Sequence, residues 1–302
     1  MTNKPVLSYV LTTYNKLPYL EEVIKRLLEN VQSDEEIVVT DGASNDGTVE
    51  FLASLYKQKK IHQFISEPDK GEAHGFNKAI LMAKGELIKI ITDDDVFDYV
   101  AIQDMRKYML ENNAKDVIIG NNAMANITEL IQVKPIKEMF DEFMYWKSGE
   151  KSVFYSNGLS LMLRKSSLPL IGLFHTGFVA VDLEYTLRNS RIANIAFYTK
   201  CIAIRLVNES SNGERQKNRI KIEQDKLCDF YDYKKPETWQ EIKKQRYISM
   251  RPGYWFLLLK RYLNNNNNTE EKEITISTVS DSFDYYHKGI IEYNRKLKPR
   301  YY

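Results

Sequence analysis

Residues 85–97 read GELIKIITDDDVF, an apolar run with strand character over Glu86–Ile91 that runs into three consecutive aspartates, Asp93, Asp94 and Asp95. Short runs rich in isoleucine and leucine and bounded by turn residues read as strands. The same unit recurs upstream. Val6–Thr12 (VLSYVLT), Glu36–Thr40 (EIVVT) and Gln63–Ser66 have strand character. Between them, Pro18–Glu29, Thr48–Leu55 and Glu72–Ala83 carry apolar residues at helical spacing, and Pro18 sits in a first turn, where its missing N–H costs nothing. Tyr99–Asn112 follows as another helix. Strands alternating with helices imply βαβ units and a mainly parallel sheet flanked by helices. In such open sheets, ligands bind beyond the carboxyl ends of the strands. The polar clusters Thr13–Lys16, Asp41–Asp46 and Asp93–Asp95 each follow a strand end, so they are expected to gather on one edge.

A chain of 302 residues is long enough for one large α/β domain with an appendage, or for two modest domains. Its 43% apolar content supports a core rather than disorder, and a net charge of +2 calls for no nucleic acid partner. Cys201 and Cys228 form neither a CxxC pair nor a disulfide framework. No signal peptide precedes the first strand, and no run approaches the roughly 20 apolar residues of a spanning helix, so a cytoplasmic protein is expected. After Val117–Ile119 the alternation weakens. Leu159–Arg164, Ile195–Tyr198 and Cys201–Val207 resemble strands, and Val181–Asn189 begins a helix. From about residue 210 the chain becomes charged and tyrosine-rich. The expected division is a catalytic domain over 1–210, with a donor half of about 1–120 and an acceptor half of about 121–210. A mainly helical C-terminal extension over 211–302 follows. Within it, 240–262 mixes basic residues with Trp255 and Phe256, a composition suited either to peripheral contact with the inner face of the plasma membrane or to packing on the catalytic domain.

Alternate residues of an extended turn point the same way, so Asp93 and Asp95 are expected to share a face. Carboxylate oxygens are hard ligands for Mn2+ or Mg2+, ions that complete their shell with substrate phosphates and neutralise a departing diphosphate. The alternative, a solvated acidic loop, is disfavoured by the position directly after an apolar strand in a βαβ series. Asp41–Leu52 superficially resembles an EF-hand loop. However, Gly47 falls one place late and Leu52 occupies the bidentate glutamate position. Neither a Walker A loop nor a GxGxxG loop is present.

Taken in order, TTYNK (12–16), VVTDGASNDGT (38–48), SEPDKGEAHGFNKAI (66–80) and GELIKIITDDDVF (85–97) resemble inverting glycosyltransferase family 2 and its GT-A fold. A weaker match, IGLFHTGFVAVDLEYTLR (171–188), carries the likeness to bacterial polysaccharide transferases of that family out to about residue 210. The resemblance implies a nucleotide-sugar donor, with UDP favoured, and a saccharide or lipid-linked acceptor. It places Thr12, Thr13 and Tyr14 around the base, with the Tyr14 ring stacking on it. Asp41 would accept a hydrogen bond from the base, and Lys70 would reach base or phosphates. Asp93 or Asp94 would bind the ribose, and Asp95, with Asp93, the metal. Asp182 would be the base that takes the acceptor hydroxyl proton, and Glu184 would help bind the acceptor. Two departures stand out. His175 replaces a usual aspartate. The region Ile204–Ser211 lacks the histidine that often completes the metal site, leaving Asn208 as a weak substitute. The alternatives are a metal-dependent sugar nucleotidyltransferase, which would begin with a glycine-rich basic loop absent here, and a non-catalytic nucleotide-sugar-binding subunit.

Overall fold

The first strand, β1 (Leu7–Thr13), is buried along its whole length because it is sandwiched between helices on both faces. Tyr9 and Leu11 face α1 (Leu17–Asn30), while Val10 faces α3 (Glu72–Met82). This is the period of two that a pleated strand imposes. β1 pairs in parallel with β2 (Glu35–Asp41) on one side and with β4 (Leu87–Ile91) on the other. β2 pairs in parallel with β3 (Gln63–Ser66), reached through α2 (Thr48–Lys57). These βαβ connections set the carboxyl ends of β1, β2, β3 and β4 side by side, with Thr13 opposite Asp41 in register.

The structure, a computed structural model, describes residues 4–128, 130–156, 158, 160–208, 211, 215–234 and 278–302. The second half of the sheet is mixed. After β5 (Val96–Phe97) and α4 (Tyr99–Glu111) comes β6 (Val117–Asn126). β7 (Leu161–Arg164) is antiparallel to both β4 and β6. The runs expected as two strands at 195–198 and 201–207 form one, β8 (Ile195–Val207), parallel to β6. Their apparent break is a register shift at Gly120–Asn122 of β6. A Cβ on Gly120 would lie 2.7 Å from the Ile202 side chain, so only glycine lets β8 cross there. The resulting order is β3-β2-β1-β4-β7-β6-β8-β5. α5 (Lys137–Lys147), a short α6 (Leu168–Ile171), α7 (Val181–Asn189) and α8 (Lys217–Tyr231) complete this part of the chain.

One compact unit comprises Met1–Tyr233 together with Ile276–Tyr302. The boundary expected near residue 210 therefore falls inside it. The last helix, α9 (Val279–Arg295), inserts Phe283, Tyr286 and Ile290 into the core cluster that α1, α4 and β8 share. Asn294 fixes it there. Its Nδ2 donates to Asp98 Oδ2 at 2.7 Å and to the Cys201 carbonyl at 2.6 Å, and its Oδ1 accepts the Cys201 N–H at 3.0 Å. Tyr301 then stacks between Tyr108 and Tyr198, with ring centroids 4.2 and 4.8 Å away. The segment 240–262 lies outside the described residues. Among those described, no helix is long and apolar enough to cross a membrane.

Candidate functional site

Three loops at the sheet edge are stitched together by side-chain to backbone bonds. Asn15, in the left-handed region at φ 51°, receives Ser44 as acceptor for its N–H at 2.8 Å, and its side-chain oxygen accepts the Asn45 N–H at 2.9 Å. Asp41 is fully buried; its carboxylate accepts from the Ser44 N–H at 3.0 Å, from the Ser44 hydroxyl, and from the Ser66 hydroxyl at 2.6 Å. It thus braces the ends of β2 and β3. Thr12 and Thr13 are buried at the end of β1, while Tyr14 is 53% exposed. α3 approaches β1 so closely that a Cβ on Gly75 would fall 1.9 Å from Thr12 Oγ1. Lys70, on the loop before α3, is exposed.

The acidic turn is organised differently from the alternation argument. Asp93 and Asp94, not Asp93 and Asp95, converge on one point, and that point holds a cation from the chain. Lys16 Nζ donates to Asp93 Oδ1 at 3.1 Å and to Asp94 Oδ2 at 2.6 Å, with all three side chains nearly buried. Burial alone would lower the Lys16 pKa. The charges of Asp93 and Asp94 outweigh that and hold it above the ordinary lysine value. Burial pushes the Asp93 carboxyl up, while the charge of Lys16 pulls it back. Asp94 Oδ2 also accepts from Asn208 Nδ2 at 3.1 Å. Asp95 turns the other way, accepting the Thr92 hydroxyl at 2.6 Å and the Leu206 N–H at 3.1 Å, and so ties the turn to β8. Burial, then the charge of Asp94, raises it to about 7. Behind the turn, Lys89 is wholly buried in β4; its Nζ donates to the Ile90 carbonyl at 2.5 Å and lies 5.3 Å from the Phe97 ring centroid.

Asp182 stands in the first turn of α7. Its Oδ2 accepts the Tyr155 hydroxyl and the Gly158 N–H, both at 2.7 Å, and its Oδ1 accepts the Leu183 N–H at 2.8 Å. Three fixed donors hold the carboxylate in one orientation. A cavity lined by Asp95, Arg205, Asn122 and Gly158 puts the acidic turn and the backbone that grips Asp182 on one space. The Arg205 side chain is exposed, and its charge acts on both Asp95 and Tyr155. The structure thus brings Thr12, Thr13, Tyr14, Asp41, Asp93 and Asp94 to one edge, and sets Asp95 with the Asp182 support around one cavity.

Glu184 is not brought to the site. It is 4% exposed and is consumed by Arg188, with contacts of 2.8 and 3.2 Å from Nε and Nη2. Arg188 in turn donates to the carbonyls of Ile171 and Leu173, so the pair anchors α7 to the preceding loop. His175 accepts the Gly177 N–H at 3.1 Å in an exposed turn. Sequence reasoning assigned no role to Lys16, Arg205 or Tyr155. Lys16 closes the TTYNK run at 12–16, and the signal that could have singled it out is its place directly after a strand-end turn, where the acids also gather. Nothing in the sequence connects Tyr155 with Asp182.

Set against a divalent ion, the donor set does not fit. The two carboxylates that do converge already enclose an ammonium. Asn208 faces them with its amide N–H2, which also donates to the Leu206 carbonyl at 3.1 Å, so in this arrangement its N–H groups rather than its carbonyl oxygen meet the acids.

The chain matches the family described as "Glycosyl transferase family 2" over residues 8–169. The putative teichuronic acid biosynthesis glycosyltransferase TuaG of Bacillus subtilis is 28% identical over 127 residues, 41% of this chain and 50% of that protein. The chain spans half or less of the first curated relatives it matches. Among solved structures, the mannosyltransferase PcManGT from Pyrobaculum calidifontis, in complex with GDP-Man and Mn2+, aligns with a TM-score of 0.58 at 15% identity. That alignment covers 98% of this chain and 88% of PcManGT. S. aureus TarS 1-349, in complex with UDP-GlcNAc, aligns with a TM-score of 0.54 at 18% identity over 68% of this chain and 60% of that one. At these identities the structural likeness speaks for the fold.

Proposed function

Because the chain belongs to glycosyl transferase family 2 and has the GT-A fold, we propose that it transfers a sugar from a nucleotide-sugar donor, a UDP-sugar, to a saccharide or lipid-linked glycan acceptor with inversion. The setting is bacterial surface polysaccharide synthesis, in keeping with the teichuronic acid pathway for which one relative is named. The observation that supports the reading is the cavity whose lining includes Asp95 of the acidic strand-end turn and Gly158, which donates its N–H to Asp182.

In this reading the base and ribose lie on the edge formed by Thr12, Thr13, Tyr14 and Asp41, with Tyr14 stacking on the base. Asp182 takes the acceptor hydroxyl proton as that oxygen bonds to the anomeric carbon. The bond from that carbon to the diphosphate oxygen breaks on the opposite face. The nucleoside diphosphate leaves with the electron pair, and Arg205 and Lys70 meet its charge. Tyr155 and Gly158 keep Asp182 aimed, because a base must be held within hydrogen-bond reach of the proton it removes. No step is routed through a metal, since the donor set does not fit one.

The test is Asp182→Asn, which keeps the shape and loses the base. Transfer to acceptor is expected to fall by about a hundredfold to ten-thousandfold, the usual worth of a general base. Nucleotide affinity, measured by titration calorimetry, is expected to stay within error of wild type. Undiminished transfer would remove Asp182 from the mechanism. Nucleotide binding with no transfer in the unaltered protein would favour a binding subunit.

A further inference from the structure

We propose that the ammonium of Lys16 is the resident cation of this site, and that the chain binds the diphosphate of its donor without a divalent metal. The inference rests on the nucleotide-sugar reading above and specifies how the donor's charge is met.

Carboxylates beside a diphosphate repel it unless positive charge stands between them. Lys16 Nζ stands between two of these carboxylates, 3.1 Å from one and 2.6 Å from the next. It is not a surface lysine folded in by accident. Its side chain is 9% exposed, its backbone carbonyl accepts the Leu20 N–H that opens α1, and the loop before it is pinned to Ser44 and Asn45. The ammonium has three N–H donors. Two are engaged by Asp93 and Asp94, and the charge of Glu72 also acts on the group; in the proposal the third N–H turns to a phosphate oxygen.

The surroundings favour this cation over a metal. Asn208, where the resemblance leads one to look for a histidine ligand, presents N–H groups to Asp94. Asp95 is committed to Thr92 and Leu206. Arg205, exposed and lining the cavity with Asp95, supplies a second positive charge. Lys16 supplies positive charge at the acid pair, and Arg205 supplies it at the cavity that Asp95 lines. Unlike an ion, they are covalently tethered and need no free metal.

The experiment titrates UDP and GDP into the full chain by calorimetry, once in EDTA and once in Mn2+, and follows Mn2+ itself by electron paramagnetic resonance. The expected result is nucleotide affinity in EDTA within about twofold of that in Mn2+, with the free-Mn2+ signal unchanged by the protein. Lys16→Gln is expected to weaken binding in EDTA by about tenfold or more, as loss of a charge-assisted bond does, and to let Mn2+ restore part of it. Lys16→Arg, which keeps the cation, is expected to retain binding in EDTA. Binding that is tenfold or more tighter in Mn2+, or Mn2+ bound at one per chain by the unaltered protein, would overturn the proposal while leaving the donor reading intact. Failure of both nucleotides to bind in either buffer, by protein shown to be folded, would instead overturn the donor reading itself.

Discussion

Replacing Lys89 with methionine is expected to make the protein more stable, and the gain is expected to shrink as the pH rises. Lys89 is 0% exposed in the central strand β4. Its Nζ has a carbonyl and an aromatic face for company, with Asp95 as the counter-charge within reach. Burial lowers its pKa from 10.5 to about 7, against a smaller upward pull from Asp95. A lysine whose folded pKa is depressed binds its proton in the unfolded chain and loses it on folding throughout the window between the two values. Stability therefore rises with pH across about 7 to 10.5, and it is lost as the pH falls back through that window. At about 1.36 kcal/mol per unit, the penalty amounts to about 4 kcal/mol at pH 7 and about 2 kcal/mol at pH 9. Methionine fills nearly the same volume and carries no charge, so Lys89→Met removes the penalty at little packing cost. Urea denaturation of both proteins at pH 7, 8 and 9 gives the difference directly. A variant less stable than wild type, or a difference flat in pH, would refute the assignment of Lys89 as a strained internal amine.

Other consequences follow from the same geometry. Gly75→Ala drives a methyl group into Thr12 Oγ1, so α3 must move off β1; a loss of about 1–3 kcal/mol by urea denaturation is expected, together with weaker nucleotide binding. Arg188→Ala leaves Glu184 as an uncompensated buried charge and frees the loop before α7, at a cost of about 3–5 kcal/mol in the same measurement. Tyr155→Phe deletes a hydrogen bond to the Asp182 carboxylate worth about 1.5–3 kcal/mol, so kcat is expected to fall by about tenfold to a hundredfold with donor KM unchanged. A rise in donor KM alone would place Tyr155 in donor binding instead.

Local pattern was enough for the donor half. Glu36–Thr40, Gln63–Ser66 and Glu86–Ile91 are short apolar runs with turn residues at their ends, and the strands β2, β3 and β4 form where these runs lie. Parallel pairing follows from the intervening helices, because a βαβ crossover returns the chain in the same direction. Parallel pairing in turn places every strand-end cluster on one edge, so Thr13, Asp41 and Asp94 were legible as neighbours although 81 positions of sequence separate the first from the last.

What the sequence could not decide was set by contacts between distant segments. The periodicity of 93–95 fixes which side chains alternate, but not which face meets a cation. That was decided by Lys16, brought in from a different loop, and by Leu206, whose N–H draws Asp95 the other way. Two short runs became the single strand β8 because a glycine in β6 lets the register slip, a fact of pairing rather than of either run alone. Glu184 and Asp182 sit two residues apart in one helical turn and look alike in sequence. At two residues apart on a helix they point to different sides. One meets Arg188 in the interior and the other meets Tyr155 and Gly158 beside the cavity. Composition likewise separated the charged C-terminal part from the domain before it, yet Phe283, Tyr286 and Ile290 complete that domain's core. Apolar spacing on a helix states that a face must be covered, and only the tertiary structure states by what.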